Sequence, residues 1–131
     1  MFECLILGDS IAQGISNVRK ECVAYVKSGI NSRNWNNRYV MKDLSANTVI
    51  ISLGTNDPEI MNSFKELLLL REMVYGKKVI WVMPPIKPPV QDIVRIIAKN
   101  FNDTILEIPE LSKDKVHPTG NGYKQLAEKT R

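Results

Sequence analysis

Short apolar segments rich in Val, Ile and Leu alternate along the chain with segments in which apolar residues recur at helical spacing. This alternation predicts β-strands that alternate with α-helices and pair in a mostly parallel sheet. None of the apolar segments shows the strict two-residue alternation of a half-exposed strand, so we expect both faces of the sheet to be covered. The five predicted strands span residues 2–7, 22–26, 48–53, 78–83 and 104–107.

The helical signals lie between and after these strands. The clearest predicted helix begins at Asp57, as its N-cap, with Pro58 in the first turn, and ends at Gly76. Its inward side chains would be Ile60, Phe64, Leu67, Leu70 and Val74.

Three further helices are predicted: a short one after Ser10, one after Pro88–Pro89 and one at the end of the chain. Residues 32–42 have the aromatic spacing of a helix, but their asparagines favour turns, so both interpretations stay open.

The composition bounds the class of protein. With 131 residues, 44% hydrophobic and 24% charged, the chain is typical of a single globular domain that spans residues 1–131. The net charge of +4 is not clustered into a basic patch interleaved with aromatic residues, so we expect no nucleic-acid partner. No apolar run approaches the roughly 18 residues of a membrane span.

Two features bear on where the protein works. The first residues lack the basic leader and cleavage site of a signal peptide, so we expect a cytoplasmic protein, released by lysis or carried in a virus particle if its substrate lies outside. Cys4 and Cys22 lie in or beside apolar segments and have no zinc-ligand spacing. We therefore expect two buried free thiols.

Polar residues follow several of the predicted strands. Ligands of an open parallel sheet bind at the carboxyl ends of its strands, so these residues are the candidates for chemistry. The segments are Gly8–Ser10, Ser28–Asn31, Gly54–Asp57 and Asp114–His117.

These segments contain the parts of an acyl-transfer site. His117 is the only histidine and so the one candidate for a neutral base, with Asp114 close enough to orient it, although a surface histidine beside an acid has the same pattern. Ser10 is suited to be a nucleophile or a helix N-cap. The Gly29 N–H and the Asn56 amide could stabilise an oxyanion or simply hold loops.

In order and spread, these four segments resemble the four motif blocks of the SGNH hydrolases, also called GDSL esterases and lipases. The resemblance implies an α/β fold, a three-layer α/β/α sandwich with a five-stranded parallel sheet in flavodoxin-like order. It implies that Ser10 is the nucleophile and that His117 is the general base, oriented by Asp114. The oxyanion hole would consist of the Ser10 N–H, the Gly29 N–H and the Asn56 side chain. Members of the family need no metal or organic cofactor.

The chain departs from the family pattern in two respects. Ile11 stands where leucine is usual, a conservative apolar change, and the short chain has little room for the insertions that build a substrate pocket. A shallow site suits short acyl groups on large carriers, such as O-acetylated carbohydrate, better than long fatty chains. The candidate substrate-binding residues are Asp9, Ile30, Asn31, Trp35, Met83 and Pro84.

Within this set, Trp35 is the candidate for stacking on a sugar, with a buried packing role as the alternative. The sequence therefore predicts a serine esterase whose partner is a small-molecule or polysaccharide ester, and leaves its oligomeric state open. The alternatives are a lysophospholipase or thioesterase of the same family, and a non-catalytic binding or structural module that keeps the fold, for example in a virus particle.

Overall fold

The computed structural model describes residues 1–131, in which five β-strands alternate with five α-helices. Each predicted strand is present to within a few residues, and residues 32–42, left open above, form a helix over most of their length. The elements are β1 (Phe2–Gly8), α1 (Ser10–Val18), β2 (Val23–Val26), α2 (Ser32–Tyr39), β3 (Ser45–Ser52), α3 (Ser63–Met73), β4 (Tyr75–Val82), α4 (Pro88–Phe101), β5 (Thr104–Leu106) and α5 (Gly120–Lys129).

All five strands are parallel and lie in the order β2-β1-β3-β4-β5. This order confirms the flavodoxin-like sheet, in which the direction of winding reverses between β1 and β3. The carboxyl end of β1, with Ser10 immediately beyond it, therefore lies at the edge of the sheet where this fold places its ligands.

The helices cover both faces of the sheet, which confirms the three layers. Helices α1 and α5 pack on one face over a cluster of 9 buried apolar residues that includes Ile6, Ile15 and Leu126. Helices α2, α3 and α4 pack on the other face over a cluster of 19, with Trp35 and Trp81 among them. Successive residues of β1 point to opposite faces, as expected for a strand buried on both sides.

The prediction for the third helix was wrong at its start. Helix α3 begins at Ser63, with Asn62 as the N-cap that accepts a hydrogen bond from the Lys65 N–H, so its N-cap lies five residues later than predicted. The supposed inward residues Ile60 and Phe64 are exposed, whereas Leu67, Leu70 and Val74 are buried as predicted. Asp57 is not a cap because its carboxylate binds α2 instead.

The expectation of two free thiols was also wrong, because Cys4 and Cys22 form a disulfide. Leu5 of β1 is paired with Val23 of β2, so the residues before them lie side by side with their Cα atoms 4.8 Å apart. That distance is within the range that a disulfide needs. The bond closes a loop that contains Ser10 and all of α1.

None of the five helices is long and apolar enough to cross a membrane.

Candidate active site

Ser10 is held at the end of β1 by a close approach of two strands. A Cβ atom on Gly8 would lie 1.9 Å from the Ser52 carbonyl oxygen of β3, so only glycine allows this approach. The Asp9 N–H then donates to the same carbonyl oxygen at 3.1 Å. The chain turns directly from the strand into α1 and places Ser10 at the first position of the helix.

The N-cap of α1 is Asp9 and not Ser10, because the Asp9 carboxylate accepts the Ile11 N–H at 3.0 Å. The Ser10 hydroxyl is therefore free for other contacts. As the first residue of the helix, Ser10 also has no intrahelical acceptor for its own N–H, which is left available to a substrate oxygen.

His117 and Asp114 lie on a loop just before α5. The loop is closed at its base by an antiparallel bridge between Leu111 and Pro118, and the Ser112 N–H donates to the His117 carbonyl oxygen at 2.8 Å. Lys115 makes the turn at φ +63°, in the left-handed region. This closed loop brings His117 back to the edge of the sheet beside Ser10.

The three side chains form a continuous hydrogen-bonded series. The Ser10 Oγ lies 2.9 Å from Nε2 of His117, and Nδ1 of His117 lies 2.7 Å from Oδ2 of Asp114. Both distances are within hydrogen-bond range. Although 107 residues separate the serine from the histidine, the order of contacts is that of a nucleophile, a base and a group that orients the base.

Asp114 is held as an anion by its neighbours. Its hydrogen bond to His117 lowers its pKa most, and the Val116 N–H, the His117 N–H and the Ser112 hydroxyl add to the effect. The pKa therefore lies well below the usual value of an aspartate, and the carboxylate is charged throughout the neutral range. A charged acceptor at Nδ1 keeps the proton on that nitrogen and leaves Nε2 free to accept one from Ser10.

The turn from Lys27 to Ile30 connects the other candidate groups to the end of β1. The Lys27 N–H donates to the Gly8 carbonyl oxygen at 3.0 Å, and the Asn56 Nδ2 donates to the Ile30 carbonyl oxygen at 3.3 Å. Gly29 lies between these anchors with φ +77°. Gly29 follows β2 and Asn56 follows β3, the two strands that flank β1. The structure thus places the predicted oxyanion residues on two loops that are joined by a hydrogen bond.

Asp57 positions Asn56, a role that the sequence did not indicate. Its buried carboxylate accepts the Ser32 N–H at 2.8 Å and the Ser32 hydroxyl at 2.7 Å, which ties the loop after β3 to the start of α2. Lys87 adds a hydrogen bond from its Nζ to the Asp57 carbonyl oxygen at 2.8 Å. In the sequence, an aspartate that binds a neighbouring segment looks the same as one that caps a helix, so this role could not be predicted.

Two further groups at the site have altered acidity. Burial raises the pKa of Asp9 to about 6, against the lowering effect of its hydrogen bonds, and its Oδ2 has no partner within the protein. Burial, followed by the negative charges of Asp9 and Asp114, raises the pKa of Tyr123. The Tyr123 phenol therefore stays neutral beside the two carboxylates, a neighbour of the site that the sequence did not identify.

The candidate substrate-binding residues are mostly inaccessible. Asp9 and Trp35 are fully buried, and Trp35 donates its Nε1–H to the Tyr25 carbonyl oxygen at 2.9 Å, so the hypothesis of sugar stacking by Trp35 was wrong. Met83, Pro84 and Ile30 are also buried. Asn31 is half-buried, and its side chain caps α2 through the Asn34 N–H.

Two cavities lie beside the loops that follow β2, β3 and β4, and neither includes Ser10 or His117. The first, of about 400 Å³, has mainly apolar walls from the loops after β3 and β4: Asp57, Pro58, Glu59, Met61, Ser63, Lys87, Pro88, Pro89, Val90 and Ile93. The second, of about 510 Å³, is open and polar and lies beside Gly29. None of the cavities therefore encloses Ser10, which is half-buried.

The chain matches no protein-family model and no curated protein sequence. Solved structures do resemble it. A candidate acylhydrolase from Bacteroides fragilis NCTC 9343 has a TM-score of 0.71 and 19% sequence identity, over 96% of this chain and 83% of that one. A candidate GDSL-like lipase from Parabacteroides merdae ATCC 43184 has a TM-score of 0.69 and 14% identity, over 97% and 92%.

The C-terminal catalytic domain of peptidoglycan O-acetyltransferase A from Streptococcus pneumoniae, solved with a methylsulfonyl adduct, has a TM-score of 0.59 and 16% identity, over 99% and 96%. At such identities the comparisons establish the fold. The resemblance to the SGNH hydrolases, first seen in four short segments, is thereby confirmed in the architecture: this chain has the α/β fold of the acylhydrolase and GDSL-like lipase structures.

Proposed function

We propose that the protein is a serine esterase that hydrolyses carboxylic esters through an acyl-enzyme. The observation that carries the proposal is the continuous contact from the Ser10 Oγ through His117 to Asp114, with hydrogen bonds of 2.9 and 2.7 Å. The fold shared with acylhydrolase and lipase structures supports it.

In the proposed acylation step, Nε2 of His117 accepts the Ser10 proton while the Oγ attacks the ester carbonyl carbon. The negative charge that develops on the carbonyl oxygen is stabilised by the N–H groups of Ser10 and Gly29 and by the Asn56 amide. When the tetrahedral intermediate collapses, the bond to the alcohol oxygen breaks and His117 returns its proton to the leaving alcohol.

Deacylation follows the same path with water as the nucleophile. His117 removes a proton from water, the hydroxide oxygen attacks the acyl carbon, and the bond to the Ser10 Oγ breaks as the serine regains its proton. The products are a carboxylic acid and the free enzyme. Asp114 stays ionised throughout and stabilises the imidazolium that forms in each step.

We propose that the enzyme removes short acyl groups, above all acetyl. An O-acetylated carbohydrate is the substrate that suits the site. Because no cavity encloses Ser10, the site suits a short acyl group on a large carrier better than a long acyl chain, which needs a tunnel. The structural similarity to the catalytic domain of a peptidoglycan O-acetyltransferase supports the choice of an acetyl group.

A second candidate is a lysophospholipase or thioesterase that acts on longer chains. The apolar cavity of about 400 Å³ favours it, since this cavity begins at Asp57, next to Asn56. A chain that extended from the ester carbonyl past Asn56 would enter it. The two candidates differ in how the rate responds to chain length.

The deciding experiment is hydrolysis of p-nitrophenyl acetate by the wild type, by Ser10→Ala and by Ser16→Ala, which removes a second hydroxyl from the same helix. We expect Ser10→Ala to lower kcat/KM by about three to six powers of ten. Ser16→Ala should leave it unchanged. Methanesulfonyl fluoride should add one methylsulfonyl group to the wild type and none to Ser10→Ala.

Equal rates in the wild type and in Ser10→Ala, with no labelling of Ser10, would contradict the proposal and favour the non-catalytic module. If turnover is found, p-nitrophenyl esters of two to ten carbons separate the two candidate functions. A rate that falls beyond about four carbons supports the acetylesterase. A rate that rises steadily to ten supports the longer-chain enzyme.

A further inference from the structure

The polar cavity beside Gly29 differs from the rest of the site in its charge. Its volume is about 510 Å³, and its lining includes two cationic residues and two asparagines. No carboxylate contributes to its walls. The lining residues are Lys27, Ser28, Gly29, Ile30, Asn34, Asn37 and Arg38.

The two cations of this cavity are not neutralised by the protein. Neither Lys27 nor Arg38 takes part in any of the ion pairs of the structure, whereas the nearby Arg33 is paired with Glu66. Both residues are exposed. They are therefore free to bind an anion from outside.

Arg38 is also held in place. Its Nε donates to the Tyr39 hydroxyl at 3.3 Å, and its guanidinium lies 5.7 Å from the centroid of the Tyr39 ring. Tyr39 in turn donates to the carbonyl oxygen of Val26, the last residue of β2, at 3.2 Å. A guanidinium anchored in this way loses less conformational entropy when it binds an anion than a free one does.

The cavity is continuous with the predicted oxyanion loop. Gly29 contributes to both, and Lys27 begins the turn that is bonded to Gly8 at one end and faces Asn56 at the other. An ester bound with its carbonyl oxygen at the Gly29 N–H would therefore direct one of its two substituents toward Lys27 and Arg38.

We propose that this cavity, here called the Lys27–Arg38 cavity, binds an anionic group, a phosphate or a carboxylate, on the alcohol side of the ester substrate. The inference rests on the proposed esterase function and narrows its substrate class to esters of negatively charged carriers. In this proposal the acyl side of the ester lies toward the loop of Asn56, because the cavity that begins at Asp57 has mainly apolar walls and suits an acyl group better than a charged one.

Two matched pairs of substrates test the proposal at low ionic strength. The first is 1-acetylglycerol 3-phosphate against 1-acetylglycerol, and the second is acetylated carboxymethylcellulose against acetylated methylcellulose of equal acetyl content. Released acetate is measured in each. The first pair represents a phosphate on a small carrier that resembles a lipid headgroup, and the second represents a carboxylate on a polysaccharide. The pair with the larger preference shows which of these two anions the cavity binds.

For at least one pair we expect the wild type to prefer the anionic ester in kcat/KM by about tenfold, since two exposed cations each contribute modestly. The preference should fall to about onefold to threefold in Lys27→Gln/Arg38→Gln, and in the wild type when salt is raised to about 0.5 M, where charges are screened within a few ångströms. Lys77→Gln/Lys78→Gln removes the same charge from the amino-terminal half of β4, away from the carboxyl ends of the strands. This variant should retain the full preference.

The proposal is overturned if the wild type shows no preference in either pair, or if both double variants lose the preference equally. Its failure differs from failure of the esterase, in which the neutral esters and p-nitrophenyl acetate would not be hydrolysed either. In that event, calorimetric titration of the wild type with each anionic compound tests the cavity directly. Binding that Lys27→Gln/Arg38→Gln abolishes would support the anion site, and no binding would remove it.

Discussion

The two faces of the sheet differ in what they contain. The face covered by α1 and α5 has the smaller apolar cluster, 9 buried residues against 19, yet Ser10, His117 and Asp9 all lie at its edge. The face covered by α2, α3 and α4 contains both tryptophans and no member of the hydrogen-bonded series Ser10–His117–Asp114. For the proposed reaction Ser10 and His117 need contact with substrate, which the border of the smaller cluster allows, while the other face contains most of the buried apolar residues.

Each face also has its own stabilising polar feature. On the smaller face, the Cys4–Cys22 disulfide closes the loop that contains α1. On the larger face, Arg71 and Asp103 form a buried ion pair that also binds Trp81. The comparison predicts that changes to the Ser10–His117–Asp114 series alter the rate, whereas changes to the buried polar groups and the disulfide of either face alter the stability.

After the loss of the Ser10 hydroxyl itself, the largest effect is expected on catalysis from Asp114→Asn. The amide would donate to Nδ1 of His117, move the imidazole proton to Nε2 and prevent it from accepting the Ser10 proton. We expect kcat/KM for p-nitrophenyl acetate to fall by up to about 10⁴-fold. The urea midpoint should fall only slightly, because the Asn oxygen can still accept the Val116 and His117 N–H groups although the charge of the carboxylate is lost.

Asp92→Asn, at an exposed site on α4, is the matched control and should leave both the rate and the urea midpoint unchanged. A loss of stability in Asp114→Asn as large as its loss of rate would show that the loop is a structural part of the smaller face.

The next largest effect is expected on stability from Asp103→Ala. Its carboxylate accepts from Nε of Arg71 at 2.7 Å, from another Arg71 nitrogen at 3.0 Å and from Nε1 of Trp81 at 3.0 Å. Removing it leaves a buried guanidinium without its partner, at a cost of about 3–5 kcal/mol in the free energy of unfolding.

Urea denaturation measures this loss. Asp92→Ala breaks an exposed ion pair with Arg95 and should cost less than about 1 kcal/mol. Equal costs for the two variants would mean that the larger face does not depend on its buried pair.

The disulfide gives the third effect. Its removal in Cys4→Ala/Cys22→Ala releases a loop of 18 residues and should lower the free energy of unfolding by about 3 kcal/mol. Thiol titration of the denatured, unreduced wild type should find no free thiol. Two free thiols and unchanged stability in the variant would restore the interpretation of buried cysteines. Because disulfides persist in oxidising environments, the same titration bears on where the protein works.

The smallest effect concerns pH and Asp9. Burial raises its pKa to about 6 in the folded protein from 3.8, so between these values the folded state binds the proton that the unfolded chain releases. Stability therefore falls as pH rises through about 4 to 6, by at most about 3 kcal/mol, and the penalty is complete above that window.

Asp9→Asn removes this titration, so the wild type should gain stability relative to the variant as pH is lowered from 7 to 4. Urea denaturation at several pH values measures the difference, with Asp92→Asn as a control for the loss of one acidic group. Parallel profiles for wild type and Asp9→Asn would show that Asp9 is not buried as an acid.

The predictions from sequence succeeded where a local pattern sufficed. Apolar segments identified all five strands, and the Pro88–Pro89 pair indicated the start of α4. They failed where a distant contact decided the outcome. Asp57 is the type of residue that caps helices, but its carboxylate binds Ser32, and α3 begins later. Trp35 is the type of residue that stacks on sugars, but it lies in the core.

The sequence by itself determined the parallel α/β architecture, because the period of its apolar residues sets strands and helices and because parallel strands need helical connections. It also named Ser10, Asn56, Asp114 and His117 as candidates. Only the tertiary structure decided that Ser10 lies 2.9 Å from His117, that Cys4 meets Cys22 and that Lys27 and Arg38 share one cavity. Those contacts depend on the order and register of the strands, which join residues far apart in the chain and leave no trace in any local pattern.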